Sequence, residues 1–167
     1  MQPFPITPER FGWLWLGSLV TGFGAAALLR RAQGLPFFRP KFADVEVEQH
    51  WRSAASSLAL MGRLARASNC VWFALTRDTL HVGPHFPFNL FMPRFFTGLD
   101  LAISVAAISS VSKKTAALGG DYVRVEYEVR DETRGTVRTE YVDLWPMRGD
   151  HFIDVLQEKA RMARVRS

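Results

Sequence analysis

Between residues 11 and 29 the chain carries no charged side chain, and Arg30 and Arg31 close the run. A helix of about 20 apolar residues crosses the hydrocarbon core of a bilayer. In water the same run, FGWLWLGSLVTGFGAAALL, would expose Phe11, Trp13, Leu14, Trp15 and Leu16 on every side. The expectation is one transmembrane helix over residues 8–33, about 39 Å long at ~1.5 Å per residue. Thr7 is a good N-cap, Pro8 suits the first helical position, and Glu9 meets the positive end of the helix dipole. Gly34 and Pro36 are stop signals. Trp13 and Trp15 fall near one end, where interfacial aromatics prefer to sit.

Two alternatives compete with an anchor. A cleaved signal peptide needs a positive leader and a small-residue cleavage site. Here Glu9 offsets Arg10, and Leu28-Leu29-Arg30-Arg31 offers no A-x-A step. A buried core helix is the other alternative, since Gly12, Gly17, Gly22 and Gly24 dilute the hydrophobicity. For the anchor, orientation follows the basic flanks. Arg10 alone precedes the run, whereas Arg30, Arg31, Arg39 and Lys41 follow it. The C-terminal side is therefore expected in the cytoplasm, and the protein as a single-pass species of the plasma (inner) membrane. Ser18 and Gly22 form one small-x-x-x-small pair.

The single cysteine, Cys70, excludes an internal disulfide and fits a reducing compartment. Beside Val71-Trp72-Phe73 it reads as a small core residue. The net charge of +5 favours an anionic membrane surface or nucleic acid. An anchor, and the lack of a basic stripe with interleaved aromatics, turn the choice away from nucleic acid. Arg161, Arg164 and Arg166 read as a solvated helix end, or as contacts for anionic headgroups.

The chain divides into residues 1–33 with the helix, a proline-rich aromatic connector at 34–42, and a domain at 43–167. Past the connector the hydrophobic period changes to two. The clearest strand covers 122–130, with Val123, Val125, Tyr127 and Val129 on one face. A turn at 131–135 returns the chain as a strand over 136–145, which sets Arg138 near Glu126 or Glu128. Residues 71–75 and 79–82 form a hairpin around Arg77-Asp78. Residues 101–111 read as one or two strands. Residues 44–53 fit a strand or a helix, with strand preferred. Asp150 caps a last helix whose apolar face holds Phe152, Val155, Leu156 and Ala160. The fold class is α+β: an antiparallel sheet or barrel capped by a C-terminal helix.

Asn69-Cys70-Val71-Trp72-Phe73-Ala74-Leu75-Thr76, then Thr79-Leu80-His81-Val82-Gly83-Pro84, follow a recognisable strand pattern. Ile103-Ser104-Val105-Ala106-Ala107-Ile108-Ser109-Ser110-Val111 looks like a strand entering an I-x-x-V step, and residues 152–156 open a closing helix. Together they resemble pleckstrin-homology-like domains in the broad bacterial, GRAM-like sense, over roughly residues 43–165. The resemblance implies binding of lipids or proteins and not catalysis, and no cofactor is expected. Lipid-binding members grip phosphates with basic residues of an early hairpin; here that hairpin offers only Arg77 beside Asp78, and no site residue transfers.

No G-x-S-x-G elbow, P-loop or dinucleotide fingerprint occurs. His81 and His85 have a spacing that suits a metal on a helix, but Gly83-Pro84 lie between them. The most unusual segment is residues 84–96, PHFPFNLFMPRFF. It is either a loop packed on the sheet or an aromatic patch that meets the bilayer or another protein. Phe86, Phe88, Phe91 and Arg94 are the candidate contact residues, with Lys113 and Lys114 as secondary basic candidates. The expected partners are the lipid bilayer and another membrane protein. The leading reading is a non-catalytic binding module. An accessory subunit of a membrane complex is the alternative, followed by an enzyme acting on envelope lipids.

Overall fold

The computed structural model describes residues 8–35, 38–58, 67–91, 98–116, 120–131, 133 and 135–166. Thr7, Pro36 and Gly119, and with them part of the expected cap and turns, lie outside the described residues.

Helix α1 runs Pro8–Ala32, with Pro8 in the first helical position as its fixed φ favours. It ends through a left-handed Gly34, φ 69°. The Gly34 amide donates to the Arg31 carbonyl and the Leu35 amide to the Arg30 carbonyl, both at 3.0 Å. This closure satisfies two end carbonyls and needs a residue without a Cβ penalty at Gly34. Residues 11–32 are long and apolar enough to cross a membrane. Trp13, Leu14, Trp15, Val20 and Leu28 are all exposed on α1.

Seven antiparallel strands follow: β1 Val45–Ser56, β2 Ala67–Thr76, β3 Thr79–Pro84, β4 Leu101–Ser104, β5 Ile108–Ala116, β6 Gly120–Asp131 and β7 Thr136–Trp145. A single helical turn, α2 Phe88–Phe91, interrupts them after β3, and helix α3 Gly149–Arg166 closes the chain. The open sheet has the order β4-β3-β2-β1-β7-β6-β5. Strand β1 joins its two halves: most of its length pairs β2, while residues 53–56 also pair β7. Between Gln49 and Arg52 the register shifts, and Trp51 takes φ 53° there. The bulge falls just before the residues of β1 that pair β7, and an extra residue in one strand bends it locally.

The preference for strand over residues 44–53 is thus borne out, and the bulge explains why the pattern read two ways. Residues 101–111 become β4 and β5, joined by a 3-10 turn at Val105–Ala107. Val123, Val125 and Tyr127 are buried as expected, but Val129 is 40% exposed because the β6–β7 hairpin outruns the sheet body. In that hairpin Arg138 lies opposite Val129, and Glu126 and Glu128 face Tyr141 and Thr139. The expected Arg138–glutamate pair is replaced by this register.

The core gathers Phe73, Leu75, Leu80, Val82, Val125 and Leu144 from the sheet with Phe152, Leu156 and Ala160 from α3. The Phe73 and Phe152 rings meet at 5.3 Å, tilted 58°, an arrangement aromatic quadrupoles favour. Asp150 falls inside the first turn of α3, and its carboxylate accepts from Lys113 at 3.0 Å.

Candidate membrane-contact site

The site begins where β3 ends. Pro84 pairs Val71, and the His85 amide donates to the Cys70 carbonyl at 2.7 Å. The chain then turns at once: the Asn89 amide donates to the His85 carbonyl at 3.0 Å and the Leu90 amide to the Pro87 carbonyl at 2.9 Å. Pro87, just before α2, has no amide to donate, which suits a helix start there. The segment interrupts the strand pattern, and its described helix is this single turn.

Phe86 is 47% and Phe88 36% exposed on this turn, and Phe38 of the connector packs against Phe86 with ring centroids 5.2 Å apart. Asn89, by contrast, is buried. Leu90 points to α1 and shares the walls of a groove with Ser18, Leu19, Gly22, Phe23 and Ala26. The Ser18–Gly22 pair thus opens towards the protein's own turn.

The end of α1 is fixed by a charge. Arg30 reaches Asp100, in the segment before β4, through two parallel hydrogen bonds: Nη2 to Oδ1 at 2.8 Å and Nη1 to Oδ2 at 2.9 Å. Nη1 also lies 3.4 Å from the Asn89 carbonyl oxygen. The two side chains are only 6% and 9% exposed. A fork-to-fork pair of this kind sets geometry as well as charge. Arg30, read as a basic flank, is a buried structural cation. Arg39 likewise forms an ion pair with Glu48 and sits 5.6 Å above the Trp72 ring.

Beside the turn lies a second polar cluster. His50 Nε2 is 2.8 Å from Glu48 Oε1, and His50 Nδ1 is 3.3 Å from His85 Nε2. Burial holds the His85 pKa below its ordinary value, and the charges of His50 and Arg39 add to the effect. His81 takes a different neighbour, stacking on Phe42 at 4.1 Å, and burial lowers its pKa too. The two histidines of the metal-like spacing therefore do not converge, and among the described residues no group of three His, Cys, Asp or Glu gathers. Cys70 is buried, and burial raises its pKa, which keeps it a thiol.

The remaining candidates separate. Lys113 and Lys114 belong to β5, the strand at the other end of the sheet order. Lys113 is held by Asp150 at 3.0 Å and Asp121 at 3.4 Å, which raise its pKa, while Lys114 is exposed. Arg164, from the C-terminal arginine group, donates to the Ile108 and Ser109 carbonyls at 2.6 and 2.9 Å. The Phe91 side chain and Arg94 lie outside the described residues. What the sequence reading missed is the Arg30–Asp100 pair and the His50–His85 contact. Both join residues far apart in the chain, and neither has a local motif.

No family model, curated protein or solved structure matches this chain.

Proposed function

We propose that the chain is a membrane-anchored, non-catalytic binding module, with α1 crossing the plasma (inner) membrane and a pleckstrin-homology-like domain held against its cytoplasmic face. The observation that carries this reading is the buried Arg30–Asp100 pair at the end of an otherwise exposed apolar helix. An ion pair that ties the helix's last turn to the domain supports a retained helix over a cleaved leader. Its exposed tryptophans and leucines speak against a core helix. An antiparallel sheet followed by a closing C-terminal helix supports the arrangement the resemblance implies. The domain's work is docking, to a membrane protein or to the lipid surface, and the turn bearing Phe86 and Phe88 is its contact face.

The test is extraction and sidedness of the full-length protein. It should stay with membranes through alkaline carbonate, keep the intact mass of its N-terminus, and be digested in inverted vesicles but not in intact spheroplasts. Release by carbonate, or a mature form lacking residues 1–31, rejects the anchor. Digestion in spheroplasts alone reverses the orientation.

A further inference from the structure

We infer that the turn at residues 86–91 is a re-entrant element, inserted in the hydrocarbon beside the anchor rather than resting on the headgroups. The inference rests on α1 being the membrane span and follows from where the turn sits along it. Leu90 shares the walls of one groove with Leu19, Gly22, Phe23 and Ala26. Counted back from Ala32, the end of α1, those residues lie about 9–20 Å up the helix at ~1.5 Å per residue. A hydrocarbon core is about 30 Å thick. A side chain that walls a groove with this stretch of the span is therefore at the depth of acyl chains.

Length argues against the alternative geometry. Ala26 shares both grooves beside the turn with Leu90, so a turn in water would draw α1 into water back to Ala26. Residues 11–25 would then be left to cross, about 22 Å of helix against a core of about 30 Å.

The chemistry of the turn suits that depth. From Phe86 to Pro93 the sequence has no charged residue. Phe86 and Phe88, the exposed side chains, are aromatic, and the polar Asn89 is buried. Backbone at membrane depth must satisfy its amides internally; those of Asn89 and Leu90 do so within the turn, and Pro87 has none to satisfy. Arg30 and Asp100 neutralise each other where the turn and helix re-emerge, the pairing expected of ionisable groups near lipid.

The experiment places a nitroxide label on the full-length protein in liposomes, in a Cys70→Ser background. Labels go at Phe88→Cys, at Phe86→Cys as a second reporter of the turn, at Val20→Cys on the exposed middle of α1, and at Val137→Cys on the β6–β7 hairpin. Collision with oxygen, which concentrates in acyl chains, is compared with collision with a water-soluble nickel chelate. The expected result is loss of nickel collision with high oxygen collision at 86, 88 and 20, against strong nickel collision at 137. Strong nickel collision at 86 and 88 with a shielded 20 overturns the insertion and leaves the anchor standing. Low collision with both reagents at 86 and 88 overturns it also, since protein rather than lipid then covers the turn. Strong nickel collision at 20 defeats the anchor itself.

Discussion

The indole of Trp51 stacks on the imidazole of His85, with ring centroids 4.4 Å apart and 16° between the planes. The contact joins the bulge of β1 to the first residue after β3. Burial, with the charges of His50 and Arg39, lowers the His85 pKa, and burial acts on His81 in the same direction. Above the ordinary histidine pKa of about 6.5 neither the folded nor the unfolded chain holds the proton, and the effect is absent. As pH falls through that value the unfolded chain takes up protons first, so stability is lost until the lower folded pKa is reached. Melting temperatures of the full-length protein should fall from pH 7.5 to pH 5.5, and His85→Gln should flatten part of that slope. An unchanged slope in the variant would remove His85 from the account.

Arg30→Met should destabilise the fold by about 3–5 kcal/mol, because it strands a carboxylate that is 9% exposed. Adding Asp100→Asn should recover much of the loss. Asparagine tolerates the φ of 69° at this position and carries no charge. Thermal melts of the two single variants and the double variant measure the coupling; strictly additive losses would show that the pair is not an energetic unit.

Gly83→Ala should cost about 1–3 kcal/mol, the usual penalty for overfilling a packed site. Gly83 pairs Trp72 across β2 and β3, and a Cβ there would lie 2.9 Å from the indole Cζ2. Trp72 is buried, so its ring has little room to retreat. Chemical denaturation of the variant checks the value. A fold as stable as the parent would mean the indole moves freely.

Two basic residues should differ in how much stability their replacement costs. Arg124 binds both oxygens of Asp143 at 2.8 Å, 4.1 Å from the Tyr141 ring centre and 5.9 Å from that of Tyr122. Those bonds hold its pKa above the usual arginine value. Arg124→Lys keeps the charge but loses the planar fork and the stacking, and should cost about 1–3 kcal/mol. Lys113→Ala removes an exposed ion pair, and stability should change little. Parallel melts of the two variants decide the comparison.

The strands were legible wherever one face is buried, because burial forces alternation. Val123, Val125 and Tyr127 announce β6. Legibility failed where backbone geometry breaks the period. Trp51 at φ 53° shifts β1 by one face, which made residues 44–53 resemble a helix. Register was harder still. Arg138 and the β6 glutamates are adjacent on any hairpin, and only the turn decides that Arg138 meets Val129. In the candidate site, Phe86 and Phe88 stood out because aromatic residues between prolines fit no regular element. Asp100 gave no such sign, since its partner is 70 positions away. Arg30 carried a misleading one, as a charge at the end of an apolar run has the same appearance in lipid headgroups and in an ion pair.

The chain has almost no slack between helix and domain. Gly34 stops α1 one residue after Gln33, Arg30 is clamped to Asp100, and Phe38, Arg39 and Phe42 of the connector are already seated on the domain. A domain on a flexible tether sweeps a volume set by linker length, and that volume sets its effective concentration for a target. A domain clamped in this way sweeps little. On the docking function proposed above, it would search a bilayer by sliding in the plane and present one fixed rim. Targets sharing the same sheet of lipid would then be favoured, and a soluble target would have to come down to the surface to be met.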